Sequence, residues 1–331
     1  MSFEFYEFFE ATHRLYFICA VGIKFMKRRY NSYSNYLKER FGCRVQKVSV
    51  DMGFTCPNRD GKVARGGCIY CNNESFVPPY ARSRFSMDYQ IETGMEYLRR
   101  RFKAQKFIIY FQAYTNTYTS VDRLEKLYCE ALKHDDVVGL TIGTRSDCID
   151  REKIELLQNL ARDFFITLEY GIESVYDKSL RFMNRGHDYQ SVIDAIGLTK
   201  DRGIYIGAHI ILGLPTESED EMIRTAGEVS KLDIDFIKIH NLHIIKNTAL
   251  AGMYSKKPFR LFSYEEYLDF ISRFLERLSP QIVVERLFTD TPKDLLIAPL
   301  WNKSHNDIMR GIEMELEKRD TYQGRLFKRQ I

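Results

Sequence analysis

Apolar runs of strand length alternate along the chain with longer stretches whose apolar positions recur at helical spacing. Val45–Met52 (VQKVSVDM) reads as the first strand. Residues 87–105 (MDYQIETGMEYLRRRFKAQ) follow with helical spacing, and Ser86 stands where an N-cap belongs. Phe107–Phe111 (FIIYF) is a continuous apolar run, the pattern of a strand buried on both faces. A helix is expected over residues 121–134. The strand signature returns at VVGLTIG (137–143), FFITLEYG (164–171), IYIGAHIILG (204–213) and FIKIHNLHII (236–245). Helices follow, opened in turn by Asp150, Asp188, Ser218 and a Ser263/Glu266 capping box.

Six strand–helix units in succession predict an α/β fold with a parallel sheet. The pattern alone leaves a barrel and a doubly wound sheet open. No G-x-G-x-x-G follows the first strand, which argues against a dinucleotide-binding fold. Residues 283–301 read as a final strand and loop, and 304–319 as a helix. No Pro/Gly/Ser-rich linker, low-complexity stretch or repeat interrupts the order.

Composition changes this picture little. With 44% hydrophobic and 28% charged residues in 331, the chain can build a sizeable core and a wet surface. Seven cysteines in this length do not form a secreted disulfide framework. Leu15–Phe25 is apolar but shorter than the about 20 residues needed to cross a bilayer. Glu4, Glu7 and Glu10 precede it, where a signal peptide would carry positive charge. A cytoplasmic enzyme without membrane attachment is the expectation. The net charge of +4 is only a weak pull toward an anionic partner.

The candidate chemistry lies in CPNRDGKVARGGCIYC, which holds Cys56, Cys68 and Cys71. Three thiolates with no fourth nearby describe a metal centre one ligand short. Thiolate is the usual ligand of iron–sulfur clusters, whereas structural zinc closes with four ligands. No Cys or His follows Cys71 until Cys129. Gly61, Gly66 and Gly67 would let the backbone wrap closely around an inorganic core. A zinc site closed by a distant ligand and a chance cluster of buried thiols are the alternatives.

Cys68-Ile69-Tyr70-Cys71 resembles the C-x-Φ-C end of the radical S-adenosylmethionine (SAM) signature, with Tyr70 as its aromatic. That superfamily usually places three residues between its first two cysteines. Eleven stand here (57–67). Longer gaps occur in the radical SAM half of the elongator catalytic subunit and in a bacterial family of YhcC/YtqA type. The chain resembles the latter from near Met26 to its end. Residues 1–25 therefore read as a non-native or loosely ordered extension. The resemblance implies a partial (β/α)6 barrel of the TIM type with its site at the strand C-termini. It places the core at 26–265 and, at 266–331, a C-terminal α/β extension that covers the barrel and selects substrate.

Further motifs carry the resemblance to the strand ends. Gln112-Ala113 begins the segment after the second strand, where relatives bind the methionyl amine of SAM. Thr144-Arg145-Ser146-Asp147 is similar to the T-R-P-D run of the elongator core. Glu173 and Arg185 lie in stretches similar to G-V-Q-S and R-R-G-H, which implies contacts to the SAM ribose or amino-acid part and to its carboxylate. His209 stands where some relatives place an acidic ribose ligand. Lys238, His240, His243 and Lys246 lie in a segment similar to the elongator's last strand, near the strand end. Strand alternation puts Lys238 and His240 on one face and His243 on the other.

These resemblances imply a [4Fe-4S] cluster on Cys56, Cys68 and Cys71, with SAM against Tyr70, Gln112, Ala113, Thr144, Arg145, Glu173, Arg185 and His209. The expected function is cleavage of SAM to a 5′-deoxyadenosyl radical that modifies a tRNA wobble uridine, with flavodoxin or ferredoxin as electron donor. A small-molecule or tetrapyrrole substrate is one alternative, and a non-catalytic iron–sulfur module another. Basic clusters at 27–29, 318–319 and 328–329 could hold a nucleic-acid backbone. Arg99–Arg101 reads as a solvated helix face.

Overall fold

The computed structural model describes residues 28–73 and 77–328. The expectations for residues 1–25, Lys27 and Arg329 lie outside them. The chain runs α1 (Tyr33–Phe41), β1 (Val45–Val50), α2 (Met87–Phe102), β2 (Lys106–Phe111), α3 (Val121–Ala131), β3 (Val137–Thr144) and α4 (Arg151–Leu160). It continues β4 (Phe165–Glu173), α5 (Asp177–Phe182), α6 (Tyr189–Thr199), β5 (Tyr205–Leu212), α7 (Glu219–Val229) and β6 (Phe236–Asn241). The last elements are β7 (Ile244–Ile245), α8 (Ala249–Lys256), α9 (Tyr264–Arg277), β8 (Val283–Arg286), β9 (Leu296–Ala298) and α10 (His305–Lys318).

Helix starts follow the capping residues of the sequence. The side chains of Ser86, Asp150 and Asp188 accept from the backbone N–H three residues on. Ser218 and Ser263 each form a full capping box with Glu221 and Glu266. Such caps contribute roughly 0.5–2 kcal/mol apiece.

Six strand–helix units and a final strand over 283–301 were expected, and that strand, β8, joins the main sheet as its seventh. The main sheet has the order β1-β2-β3-β4-β5-β6-β8, every neighbour parallel. β8 joins β6 through the crossover helix α9, which buries Tyr267, Phe270, Ile271, Phe274 and Leu275. Burying each such side chain contributes about 1.5–3 kcal/mol. The expected strand over 236–245 breaks after Asn241, and Ile244–Ile245 pairs instead with β9.

The sheet curls. Its edge strands, β1 and β8, are not paired by backbone, yet Lys47 of β1 reaches Glu285 of β8 at 2.7 Å. Along each strand, alternate residues face opposite ways. Val48, Ile109, Ile142, Leu168, Ala208, Ile237 and Val284 face the helices. The other set fills the lumen in layers. Val45, Ile108, Phe165, Phe236 and Val283 form the bottom layer, sealed by Tyr33 and Leu37 of α1. Tyr33 meets Phe236 edge-on at 5.0 Å between centroids. Above this plug the lumen turns polar.

Candidate active site

The polar upper lumen opens into a cavity of about 500 Å³ at the C-terminal ends of the strands, the face that carries function in barrels of this kind. All eleven residues singled out in the sequence line it: Cys56, Cys68, Tyr70, Cys71, Gln112, Ala113, Thr144, Arg145, Glu173, Arg185 and His209. They come from loops and strands separated by up to about half the chain, and only the curled sheet brings them to one place.

The sulfur side is built by the loop after β1. Gly66 and Gly67 both sit at positive φ, 83° and 82°. The loop is fixed to the turn between α5 and α6 through Asn58, which is fully buried. Its Nδ2 donates to the Asn184 carbonyl at 2.5 Å and to Cys68 Sγ at 3.5 Å. Asn184 returns a bond to the Gly67 carbonyl at 2.9 Å. Arg185 Nη1 donates to Cys68 Sγ at 3.6 Å, and its Nη2 to the Gly171 carbonyl at 2.6 Å.

Electrostatics here favour a metal centre. Burial, then the neighbouring Cys68, pushes the Cys71 thiol up to about 11. Cysteines this close resist ionising together unless cations hold them. Burial opposes the charge of Arg185, but Tyr70, Cys68 and Glu173 outweigh it and keep the guanidinium firmly protonated. Arg185 Nε is buried without a hydrogen-bond partner. An unsatisfied donor on a buried cation beside three thiols fits a sulfur-ligated cluster, whose sulfurs accept such bonds and are tuned by them. Among the described residues no three His, Cys, Asp or Glu side chains are gathered tightly enough for a single metal ion.

β4 forms the adjoining wall. Glu173 holds a left-handed φ of 66°, a conformation that costs a residue with Cβ about 1–2 kcal/mol. Gly171 lies two residues before it. A Cβ there would stand 2.5 Å from Arg185 Nη2 and 2.7 Å from Glu173 Oε1, so glycine leaves the room both charges occupy. Arg145 is 2% exposed. It forks onto both Asp147 oxygens at 2.7 Å and donates to the Arg185 carbonyl at 2.8 Å. Its guanidinium therefore positions the Arg185 loop. Gln112 donates to Ser49 Oγ at 2.7 Å.

The floor was largely missed by sequence reading. Glu169, 2% exposed, accepts from Lys47 at 2.7 Å, Lys238 at 2.7 Å and pairs with His209 Nε2 at 2.9 Å. Glu285 accepts from Lys47 and lies 3.0 Å from Lys238. Burial alone would raise the Glu169 carboxyl. Lys238, Lys47 and His209 outweigh it and hold the group well below the usual carboxylate range. Lys47, despite burial, is raised by the two carboxylates. Lys238 is lowered, because burial, with Lys47 and Arg286 nearby, prevails over the same carboxylates. The His209 nitrogen expected at a ribose is committed to Glu169. The signal for this layer was present: a lone Lys in VQKVSV and a lone Glu in FFITLEYG are charges inside apolar strands, which are rarely buried unless paired.

One orientation needs correcting. His243 lines the same cavity as Lys238 and His240, because β6 ends at Asn241 and alternation ends with it. The basic clusters also look different. Arg319 pairs with Glu315 and Asp269, and Lys318 with Glu315, so that pair is largely neutralised. Arg99–Arg101 is exposed in the last turn of α2, as expected of a solvated face. No helix among the described residues is long and apolar enough to cross a membrane.

With this geometry in view, comparison with known proteins is direct. Residues 56–229 match the family model of the Radical SAM superfamily, and residues 234–318 that of the Radical_SAM C-terminal domain. The Bacillus subtilis protein YtqA is 35% identical over 92% of this chain and 94% of its own length. A tRNA uridine(34) acetyltransferase of Methanocaldococcus jannaschii is 26% identical over 48% of this chain but only 30% of its own length. The solved structure of Elp3 from Methanocaldococcus infernus superposes with a TM-score of 0.64 at 20% identity, covering 84% of this chain and 64% of that one. That likeness is one of fold.

Proposed function

The chain belongs to the radical SAM superfamily of enzymes, and on that premise we propose that it cleaves SAM reductively to modify a uridine of tRNA. The observation that carries the SAM reading is the meeting of Cys56, Cys68 and Cys71 with the buried, partly unsatisfied Arg185 at one cavity wall. Cys56, Cys68 and Cys71 would hold the cluster. Together with SAM it would supply one-electron cleavage of a sulfonium C–S bond, the source of a 5′-deoxyadenosyl radical.

The chain's own work is binding, orientation and exclusion of water. Tyr70, half-buried beside Cys68 and Cys71, shields the sulfur side. Glu173 and Arg185 offer one acceptor and one cationic donor side by side, a pair suited to the amino acid end of SAM. The plug below the ionic layer closes the lumen, so substrate enters from the strand C-termini. An external one-electron donor such as a flavodoxin or ferredoxin completes the reaction.

Support for tRNA is the partial likeness to the uridine(34) acetyltransferase. The test compares modified nucleosides in tRNA from wild-type and deletion strains. Loss or truncation of a uridine modification is the expected result. Unchanged tRNA, with 5′-deoxyadenosine still formed by reduced purified protein, would keep the SAM reading and move the substrate to a small molecule.

A further inference from the structure

The cavity has a second side, away from the cysteines, formed by β5, β6, β8 and the loop after β8. Its charges do not cancel there. Lys47 and Lys238 are matched by Glu169 and Glu285. Arg286, next along β8, lines the cavity; it is exposed, its backbone is in register with Lys238 of β6, and its guanidinium makes no hydrogen bond or ion pair among the described residues. Asp290, the remaining carboxylate on this side, also lines the cavity and feels Arg286, but it is largely exposed and its paired partner is His305 at 3.3 Å. His240 stacks loosely on His209, centroids 5.5 Å apart. The strongest charges acting on His240 come from Arg286, His209, Lys238 and His243. Thr289 Oγ1 stands 3.5 Å from His240 Nδ1.

We infer that Arg286, with His240 beside it, forms a subsite for an oxyanion, a carboxylate or phosphate group carried by the substrate. A guanidinium presents paired donors matched to a carboxylate or phosphate; the Thr289 hydroxyl is already donated to the Asn241 carbonyl at 2.7 Å, which leaves the neutral imidazole of His240 as the neighbouring donor without added charge. With Lys47 and Lys238 both paired, the free guanidinium of Arg286 is the strong anion receptor on this side among the described residues. Arg185 serves the opposite wall, so two anionic groups, one on each side, are accommodated at once. Assigning this second anion to the substrate rests on the radical SAM reading; the subsite itself does not.

The experiment uses the full chain with its cluster reconstituted, saturated with SAM so that the Arg185 wall is filled. Binding of inorganic phosphate and of acetate is titrated at constant ionic strength by the shift in thermal midpoint. The wild type is compared with Arg286→Gln, Arg286→Lys and Arg310→Gln. Arg310 lies on the exposed face of α10, outside the cavity, and controls for loss of a charge. A saturable response to at least one anion is expected in the wild type and Arg310→Gln. It should weaken at least tenfold in Arg286→Gln and recover partly in Arg286→Lys. Response to acetate alone marks a carboxylate subsite, and response to phosphate alone a phosphoryl subsite. Equal responses in all four proteins, or none in any, overturn the inference. Failure of the wild type to bind SAM at all is a separate result, and it sinks the reading of the opposite wall.

Discussion

Lys47 on the first strand of the sheet and Glu285 on the last are joined by a forked ion pair, with Lys47 Nζ 2.7 and 2.8 Å from the two carboxylate oxygens. No backbone hydrogen bond links those strands. The open barrel is therefore closed at mid-height by side chains, and Lys238 and Glu169 extend the closure across the lumen.

Glu169→Gln should be costly. It removes one of two anions from beneath two buried ammonium groups. Breaking a buried network from one side destabilises by about 3–5 kcal/mol. Urea unfolding measures the loss, and a change below about 1 kcal/mol would show that the closure contributes little.

Cys56→Ala, Cys68→Ala and Cys71→Ala should each abolish a cluster that otherwise reconstitutes to about four iron per chain. Cys43→Ala, Cys129→Ala and Cys148→Ala should keep it. Cys148 is the informative control, because its buried thiol is pushed up to about 12 by burial and then by Asp147. Iron loss in that variant would assign the ligands wrongly.

Arg185→Ala should weaken SAM binding by about 1.5–3 kcal/mol, the range for a hydrogen bond to a charged group. Glu173→Gly makes a sharper test. Glycine accepts positive φ freely, so the thermal midpoint should hold or rise while SAM affinity falls. A fall in both would mean Glu173 serves the fold.

Acid should destabilise the protein in a window set by buried histidines. Burial lowers His243 to about 4, against a small opposing effect of Asp290. An unfolded histidine titrates near 6.5. Between those values the unfolded state binds a proton the native state refuses, so stability is full above about 6.5 and falls toward 4. The loss from His243 is of order 3 kcal/mol at most. His243→Gln should flatten the slope of unfolding free energy between pH 6.5 and 4, and an unchanged slope would count against the buried neutral imidazole.

Much of this was legible along the chain. Strand and helix positions followed from apolar spacing, and the capping residues marked most helix starts. The cysteine motif located one wall of the cavity. The ionic floor was not legible as a network, because Lys47, Glu169, Lys238 and Glu285 are far apart in sequence and meet only when the sheet curls. His243 was misplaced for a local reason. Alternation was carried past Asn241, where the backbone leaves the strand to pair Ile244 with Ala298. Arg319 looked like a free basic residue because its partner Asp269 lies on another helix.

The alternation along β4 has a consequence for how the sheet assembles. Glu169, Gly171 and Glu173 line the cavity, while Leu168, Tyr170 and Ile172 pack under the helices. A slip of one residue would exchange the two sets. Two carboxylates would then enter an oily layer without partners, and a tyrosine and two aliphatics would block the chamber. The charges needed for chemistry thus also act as a proofreading device during folding, penalising a wrongly threaded central strand before the cavity can close around it.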